Sequence, residues 1–312
     1  MKKFLNKKNS LVGLSILSVI IALSSCEKVI DYKVKDANKD IVIDAFITND
    51  TGTQKIILSY TKNILDSTNP APILGATVKV INKIVVPNVI DTSRTFIFTD
   101  TDNDGTYTWQ PNPSEIYPFG IPFTEYNLSV TINNEEFIAT TFMDETVDIT
   151  GALGDSLRPE ETQVGTKFRK GSVLTLNSGV RDIAGRPNCY WFKTFRNGVL
   201  LNKPANINLS YDAAFGPGFD GIPFIVPIVS ALTPDTTRFN KGEVVTVECH
   251  SVGILTWYYL SQIRTEIGNT GIFASPPSNI SSNIEPKNKD SKRKVLGWFS
   301  AAAVSKSTIV IR

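Results

Sequence analysis

The sequence predicts a mainly β protein, with a β-sandwich over residues 41–142 and a second β-rich domain over 171–312 that carries one α-helix. Three observations predict it. Apolar and polar residues alternate in short runs through both halves, the period-two pattern of strands with one buried face. Clusters of Pro, Gly, Asn and Asp separate those runs, as in chains built from short strands and tight turns. Past the N-terminal segment, helical spacing appears in one stretch, where Trp257, Leu260, Ile263 and Ile267 fall on one broad face.

The elements follow in order. Ile41 to Ile47 alternates, Lys55 to Tyr60 is aliphatic and β-branched, and Thr77 to Ile81 repeats Val and Ile. Thr95 to Thr99, Thr106 to Trp109, Tyr126 to Ile132 and Glu136 to Phe142 complete the first set. Asn133-Asn134 reads as a hairpin turn, because Asn tolerates positive φ. Over residues 143–170 the rhythm breaks: Asp144, Glu145, Asp148, Asp155, Glu160 and Glu161 come with Gly, Pro and Ser, and this stretch reads as a linker. Ser172 to Asn177 opens the second domain, followed by a turn at Asp182–Pro187 and an aromatic strand, Cys189 to Phe195. Asn197-Gly198 marks another hairpin, 201–240 is irregular, and Glu243 to Ser251 is again a strand. The helix stops at Gly268. A Pro- and Asn-rich loop, Ser275 to Lys289, leads to a last pair of strands, Val295–Ala302 and Ser307–Ile311.

Residues 1–25 carry the signs of an export signal. Lys2, Lys3, Lys7 and Lys8 precede an apolar stretch from Leu11 to Leu23, and Leu23-Ser24-Ser25-Cys26 follows. A lipoprotein signal peptidase needs small residues before a cysteine and an aliphatic residue three positions upstream. On this reading Cys26 is the lipidation site and residues 26–40 are a polar tether; two or three acyl chains on one residue anchor stably, where one would be marginal. An ordinary secretory leader and an uncleaved helix are the competing readings, the second with an apolar run short of the roughly 20 residues a span requires.

The chain has 32 Lys+Arg and 30 Asp+Glu; four lysines lie in the leader, leaving 28 against 30, or −2, after its removal. No basic stripe remains to argue for nucleic acid. Lys287, Lys289, Lys292, Arg293 and Lys294 cluster beside Asp290 in a polar loop, as a solvated loop does. With Cys26 acylated, Cys189 and Cys249 remain, either as a disulfide in an oxidising compartment or as small buried hydrophobes.

Catalytic signals are sparse. The single histidine, His250, neighbours Cys249 on a strand, so the two point to opposite faces. Glu248 and His250 share a face, but two ligands do not close a metal site. G-x-S-x-G elbows, P-loops and dinucleotide fingerprints are lacking, and no enzyme or cofactor is expected. Asp100-Thr101-Asp102-Asn103-Asp104-Gly105 matches the opening of a calcium loop, with Pro111 where the closing carboxylate belongs; a tight turn is the alternative. Tyr190, Trp191, Phe192, Trp257, Tyr258, Tyr259, Trp298 and Phe299 serve equally as core or as a binding platform.

Several segments together resemble the DUF4249 lipoproteins of Bacteroidota. They are Cys26-Glu27-Lys28-Val29-Ile30-Asp31, Ile41 to Asn49, Pro72-Ile73-Leu74-Gly75-Ala76-Thr77-Val78, and Asp182 to Tyr190 with its "D-x-x-G-x-x-N-x-Y" pattern. Pro276 to Ile280, Asn283-Ile284 and Leu296 to Ala301 resemble the closing signature. Asp104-Gly105-Thr106-Tyr107 resembles the "G-x-Y" hairpin of carboxypeptidase regulatory-like and other Ig-like modules, which implies that class of sandwich for 41–142. The resemblance implies a non-catalytic lipoprotein of the outer membrane, often encoded beside a TonB-dependent, SusC-like transporter. Glu27 and Asp31, interrupted by Lys28, leave both the cell-surface and the periplasmic face open. A binding or accessory component of such a transporter is therefore expected, with a structural or adhesive surface module as the alternative. The ligand is not named by any motif.

Overall fold

Alternation becomes burial along β1 (Ile41–Thr48), where Ile41, Ile43, Ala45 and Ile47 are buried while Val42, Asp44, Phe46 and Thr48 face the other way. This computed structural model describes residues 39–312 apart from 64–65, 85–92, 113–118, 165–166, 177–178, 204–205, 213–217, 219, 224–231, 234–236 and 270–279. The first half continues with β2 (Gln54–Tyr60), β3 (Thr77–Ile84), β4 (Arg94–Phe98), β5 (Thr106–Trp109), β6 (Thr124–Ile132) and β7 (Glu135–Met143). The second adds β8 (Leu153–Val164), β9 (Lys167–Leu176), β10 (Cys189–Arg196), β11 (Val199–Leu200), β12 (Asn208–Tyr211) and β13 (Val244–Ser251). After these come α1 (Ile254–Gly268), β14 (Glu285–Pro286) and β15 (Val295–Val310). The described residues are mainly β, with one helix. Both predicted Asn turns are present: Asn133 and Asn134 have φ of 49° and 65°, Asn197 and Gly198 of 49° and 79°, the left-handed pair that lets a two-residue hairpin follow the strand twist.

One sheet of eight strands runs β11-β10-β13-β15-β1-β2-β5, with β12 also on β10; a second runs β14-β7-β6-β3-β4, and β8 pairs with β9. The first core lies between the two large sheets and includes Ile43, Leu58, Val80, Phe98, Leu128, Phe137 and Phe299. A second core groups Phe192, Val247 and Cys249 with Leu153, Leu174 and Phe239. Each large side chain so enclosed contributes about 1.5–3 kcal/mol.

The eight-stranded sheet takes strands from both of the halves expected to be separate domains, and Asn38–Arg312 forms one compact unit. The joint is β15. Val295–Ala302 runs parallel to β1, then Ala303–Val310 runs antiparallel to β13. The two closing strands expected from sequence are thus one, because Ala303 and Val304 keep pairing, with Ser251 and His250. Ala301, Ala302 and Ala303 are all buried at the handover, where protein on both faces leaves room only for small side chains. Residues 143–170, expected as a linker, carry β8 and the start of β9, laddered from Leu153↔Leu176 to Val164↔Lys167 with an irregularity between Arg158 and Thr162. Backbone hydrogen bonds carry such a ladder, and an acidic composition without alternation gives little sign of it.

Tyr107 is one long-range staple of the first core. Its buried hydroxyl donates to the Ile73 carbonyl at 3.0 Å and accepts from the Ala76 N–H at 2.9 Å. Tyr107→Phe leaves both backbone groups without that partner and is expected to cost about 1–2 kcal/mol by urea denaturation.

Candidate functional site

The face of the eight-stranded sheet turned away from the cores is built from the other half of each alternation. Across β10, β13 and β15, Trp191 lies opposite His250 and His250 opposite Val304, while Lys193 lies opposite Glu248 and Glu248 opposite Lys306. β1 adds Asp44 and Phe46, opposite Trp298 and Ser300. Phe46 and Trp191 belong to strands with two others between them, yet their ring centroids are 5.6 Å apart at 68°. Flat strands would hold their backbones about 14 Å apart, so the two side chains lean toward each other over the twisted sheet, and the shallow face around them is the trough. Buried Ser300 and Ala302 stand between them on β15, small enough to form its floor.

Helix α1 closes one end. It begins after an extended Gly253 without a side-chain cap and buries Thr256 and Leu260, one turn apart. Thr256 Oγ1 accepts from Trp298 Nε1 at 2.9 Å and lies 3.2 Å from Ser300 Oγ. Tyr259 stacks on Trp298 at 4.7 Å and 18°. The packed face is centred on Thr256 and Leu260 rather than on the expected row ending at Ile267, which is 48 % exposed.

Electrostatically the trough has two parts. In the first, Lys306 Nζ reaches Asp50 at 2.5 Å and Glu248 at 2.9 Å, and Glu248 lies 2.9 Å from His250 Nε2. Burial alone would raise the Glu248 carboxyl, but the bonds from His250 and Lys306 outweigh it and hold its pKa at about 2. Burial, aided by the charge of Lys193, lowers His250 to about 4 despite Glu248. The imidazole is therefore neutral near pH 7, its Nε2–H donated to the carboxylate.

The second part is Asp44 and Lys193. Among the described residues, neither side chain has a hydrogen bond or an ion pair; Lys193 Nζ instead rests 4.0 Å from the Trp191 ring centroid. Burial lowers the Lys193 pKa against the pull of Glu248 and Asp44, and burial raises that of Asp44 against the pull of Lys193. Asp44 is nonetheless open to solvent. Both facts hold together if protein crowds the group from the sides while water reaches it along the trough.

The residues singled out from sequence are placed as follows. Glu248 and His250 share a face and are bonded to each other. Cys189 and Cys249 are both free and buried. Cys249 lies opposite Phe192, whereas Cys189 accepts from the Val252 N–H, three positions further along the ladder. An odd offset puts the two on opposite faces, so a disulfide is excluded. Burial lifts both thiols to about 12, which leaves them unreactive. Asp100 accepts from the Asp104 and Gly105 N–H groups at 3.2 and 3.0 Å, and Asp104 accepts from Thr106 N–H at 2.7 Å. Asp100, Asp102 and Asp104 do not converge; they shape a turn in which Gly105 has φ +81°. Of the aromatics, Tyr190, Phe192 and Phe299 are core, Trp191, Tyr259 and Trp298 line the trough, Trp257 packs beside Tyr211, and Tyr258 is 51 % exposed. Cys26 lies outside the described residues.

Asp182, Asp212 and Asp220, which sequence reading passed over, bring one oxygen each within 4.8 Å of the others; among the described residues this is the grouping with the geometry for a metal ion. Their oxygens already accept from Tyr190 Oη, Asn188 N–H and Gly185 N–H. Asp44 and Lys193 were passed over too, although each is a charge inside an otherwise strong strand pattern, Ile-Val-Ile-Asp-Ala-Phe-Ile and Tyr-Trp-Phe-Lys-Thr-Phe.

Residues 27–308 match a family described as a domain of unknown function, DUF4249. The chain belongs to the DUF4249 family. The match takes in both large sheets except the last two residues of β15, so in this DUF4249 protein the trough residues lie within the family's extent. No curated protein matches the chain.

Proposed function

We propose that this DUF4249 protein is a non-catalytic binding lipoprotein, anchored to the outer membrane through acyl chains on Cys26 and serving a TonB-dependent, SusC-like transporter. The observation that carries the binding role is the trough, in which Asp44 and Lys193 stand among aromatic rings with no hydrogen-bond partner among the described residues. The remaining charges of the trough, Asp50, Lys306 and Glu248, are bonded to one another and to the neutral His250. That division suits a site that orients a bound molecule. The anchor rests on Leu23-Ser24-Ser25-Cys26 behind its lysine-flanked apolar stretch.

Cys26→Ser is expected to move the protein from the membrane fraction to the soluble one and to abolish incorporation of labelled palmitate. Unchanged partition would refute the anchor. Crosslinking in native membranes is expected to recover a transporter, and its absence from repeated recoveries would refute the accessory role. The exposed apolar face of α1, where Leu255 is 66 % exposed beside Tyr258, favours an adhesive surface module as the second reading. Loss of cell attachment on Leu255→Ser, with transport intact, would decide for it.

A further inference from the structure

We propose that the trough takes a small zwitterion of the α-amino-acid class with a planar apolar side chain, its ammonium on Asp44 and its carboxylate on Lys193. This deepens the binding role proposed above and rests on it. Among the described residues Asp44 and Lys193 have no hydrogen bond or ion pair; they stand on one face of the eight-stranded sheet, near enough for each charge to act on the other, with Trp191 against Lys193 and Trp298 opposite Asp44. A ligand with a single charge would pair one group and strand the other, at the cost of an uncompensated charge in a crowded site. A neutral sugar would hydrogen-bond to both and neutralise neither. A zwitterion answers both charges with charge-assisted hydrogen bonds.

The neighbouring charges do not compete for it. Glu248 and Lys306 pair with each other, with His250 and with Asp50. The apolar part of the ligand is set by the rings around Asp44: Phe46 follows on the same face of β1, and Trp298, the cross-strand partner of Asp44, carries Tyr259 stacked upon it. On the other side Lys193 is held against Trp191, which restricts where its ammonium can go and lowers the entropy lost when it binds a carboxylate.

The test uses the full-length anchored chain in detergent micelles and follows tryptophan fluorescence, to which Trp191 and Trp298 contribute. The probes are L-phenylalanine, N-acetyl-L-phenylalanine, L-phenylalanine methyl ester and maltotriose. L-Phenylalanine is expected to shift the emission saturably, and the two blocked derivatives to bind at least about tenfold more weakly, the loss of one charge-assisted contact. Asp44→Asn is expected to weaken phenylalanine by a similar factor while leaving the N-acetyl form unchanged; Lys193→Met does the same with respect to the ester. Circular dichroism confirms that both variants fold. Equal binding of phenylalanine and its blocked forms, or preference for maltotriose, overturns the zwitterion assignment but leaves the trough as a binding site. If no probe shifts the emission, the zwitterion assignment falls. The wider binding role falls with it only if crosslinking also recovers no partner.

Discussion

Gly297→Val is expected to leave little folded protein. Gly297 sits inside β15, opposite Ile43 of β1, with φ +97°. A Cβ at this position would lie 2.0 Å from the Ile43 carbonyl oxygen and 2.7 Å from its carbon. Both atoms are backbone in a paired strand, so nothing nearby yields by changing rotamer. The positive φ alone costs a side-chain-bearing residue roughly 1–2 kcal/mol, and overpacking a close contact adds about 1–3 kcal/mol. β15 joins the two cores, so the strain reaches both. A loss of about 2–5 kcal/mol is a large share of the roughly 5–15 kcal/mol that holds a folded domain. Gly297→Ala, which keeps the clash but adds less bulk, gives the measurable version by guanidinium denaturation. A midpoint unchanged from the parent protein would show that β15 does not approach β1 as described.

The second large effect is loss of stability in mild acid, centred on His250. An ordinary histidine takes up its proton near pH 6.5, but in the folded protein this one resists until about pH 4, because it is buried and faces Lys193. Between those values the unfolded chain binds a proton that the folded chain refuses, so stability falls as pH drops through the window. A displacement of this size is worth on the order of 3 kcal/mol. Glu248 acts in the same sense at lower pH: its contribution is full above about 4.5 and is lost as pH falls toward about 2. Asp44, whose pKa burial raises, opposes them by taking up its proton earlier in the folded state. Lys306 and Asp50 complete the charges around the pair. Denaturation at pH 7, 5.5 and 4.5 is expected to show the decline, and His250→Gln to flatten it above pH 4.5. The same slope in both proteins would mean that the imidazole is not held neutral.

The clarity of the sequence signal follows the range of the interaction behind it. β1 is legible because Ile41, Ile43, Ala45 and Ile47 alternate with residues of the other face, and burial of one face is a property of the strand alone. The hairpins at Asn133-Asn134 and Asn197-Gly198 are legible because positive φ is a property of the residue. β8 escaped detection because its partner, β9, supplies the ladder and its own composition resembles a loop. Asp44 and Lys193 showed as charges within apolar strands, but their common destination could not be seen.

By itself, the sequence determined a mainly β chain, the position of most strands, two left-handed turns, a helix ending at Gly268 and a candidate acylation site at Cys26. Only the tertiary structure decided that β15 serves two neighbours in turn, that Cys189 and Cys249 face apart, and that Phe46 meets Trp191 across two intervening strands. The reason is geometric. Alternation tells which residues of one strand share a face, but the phase between strands far apart in the chain is set by pairings such as Asp44 with Trp298 and Lys193 with Glu248. Those pairings form only when distant segments meet.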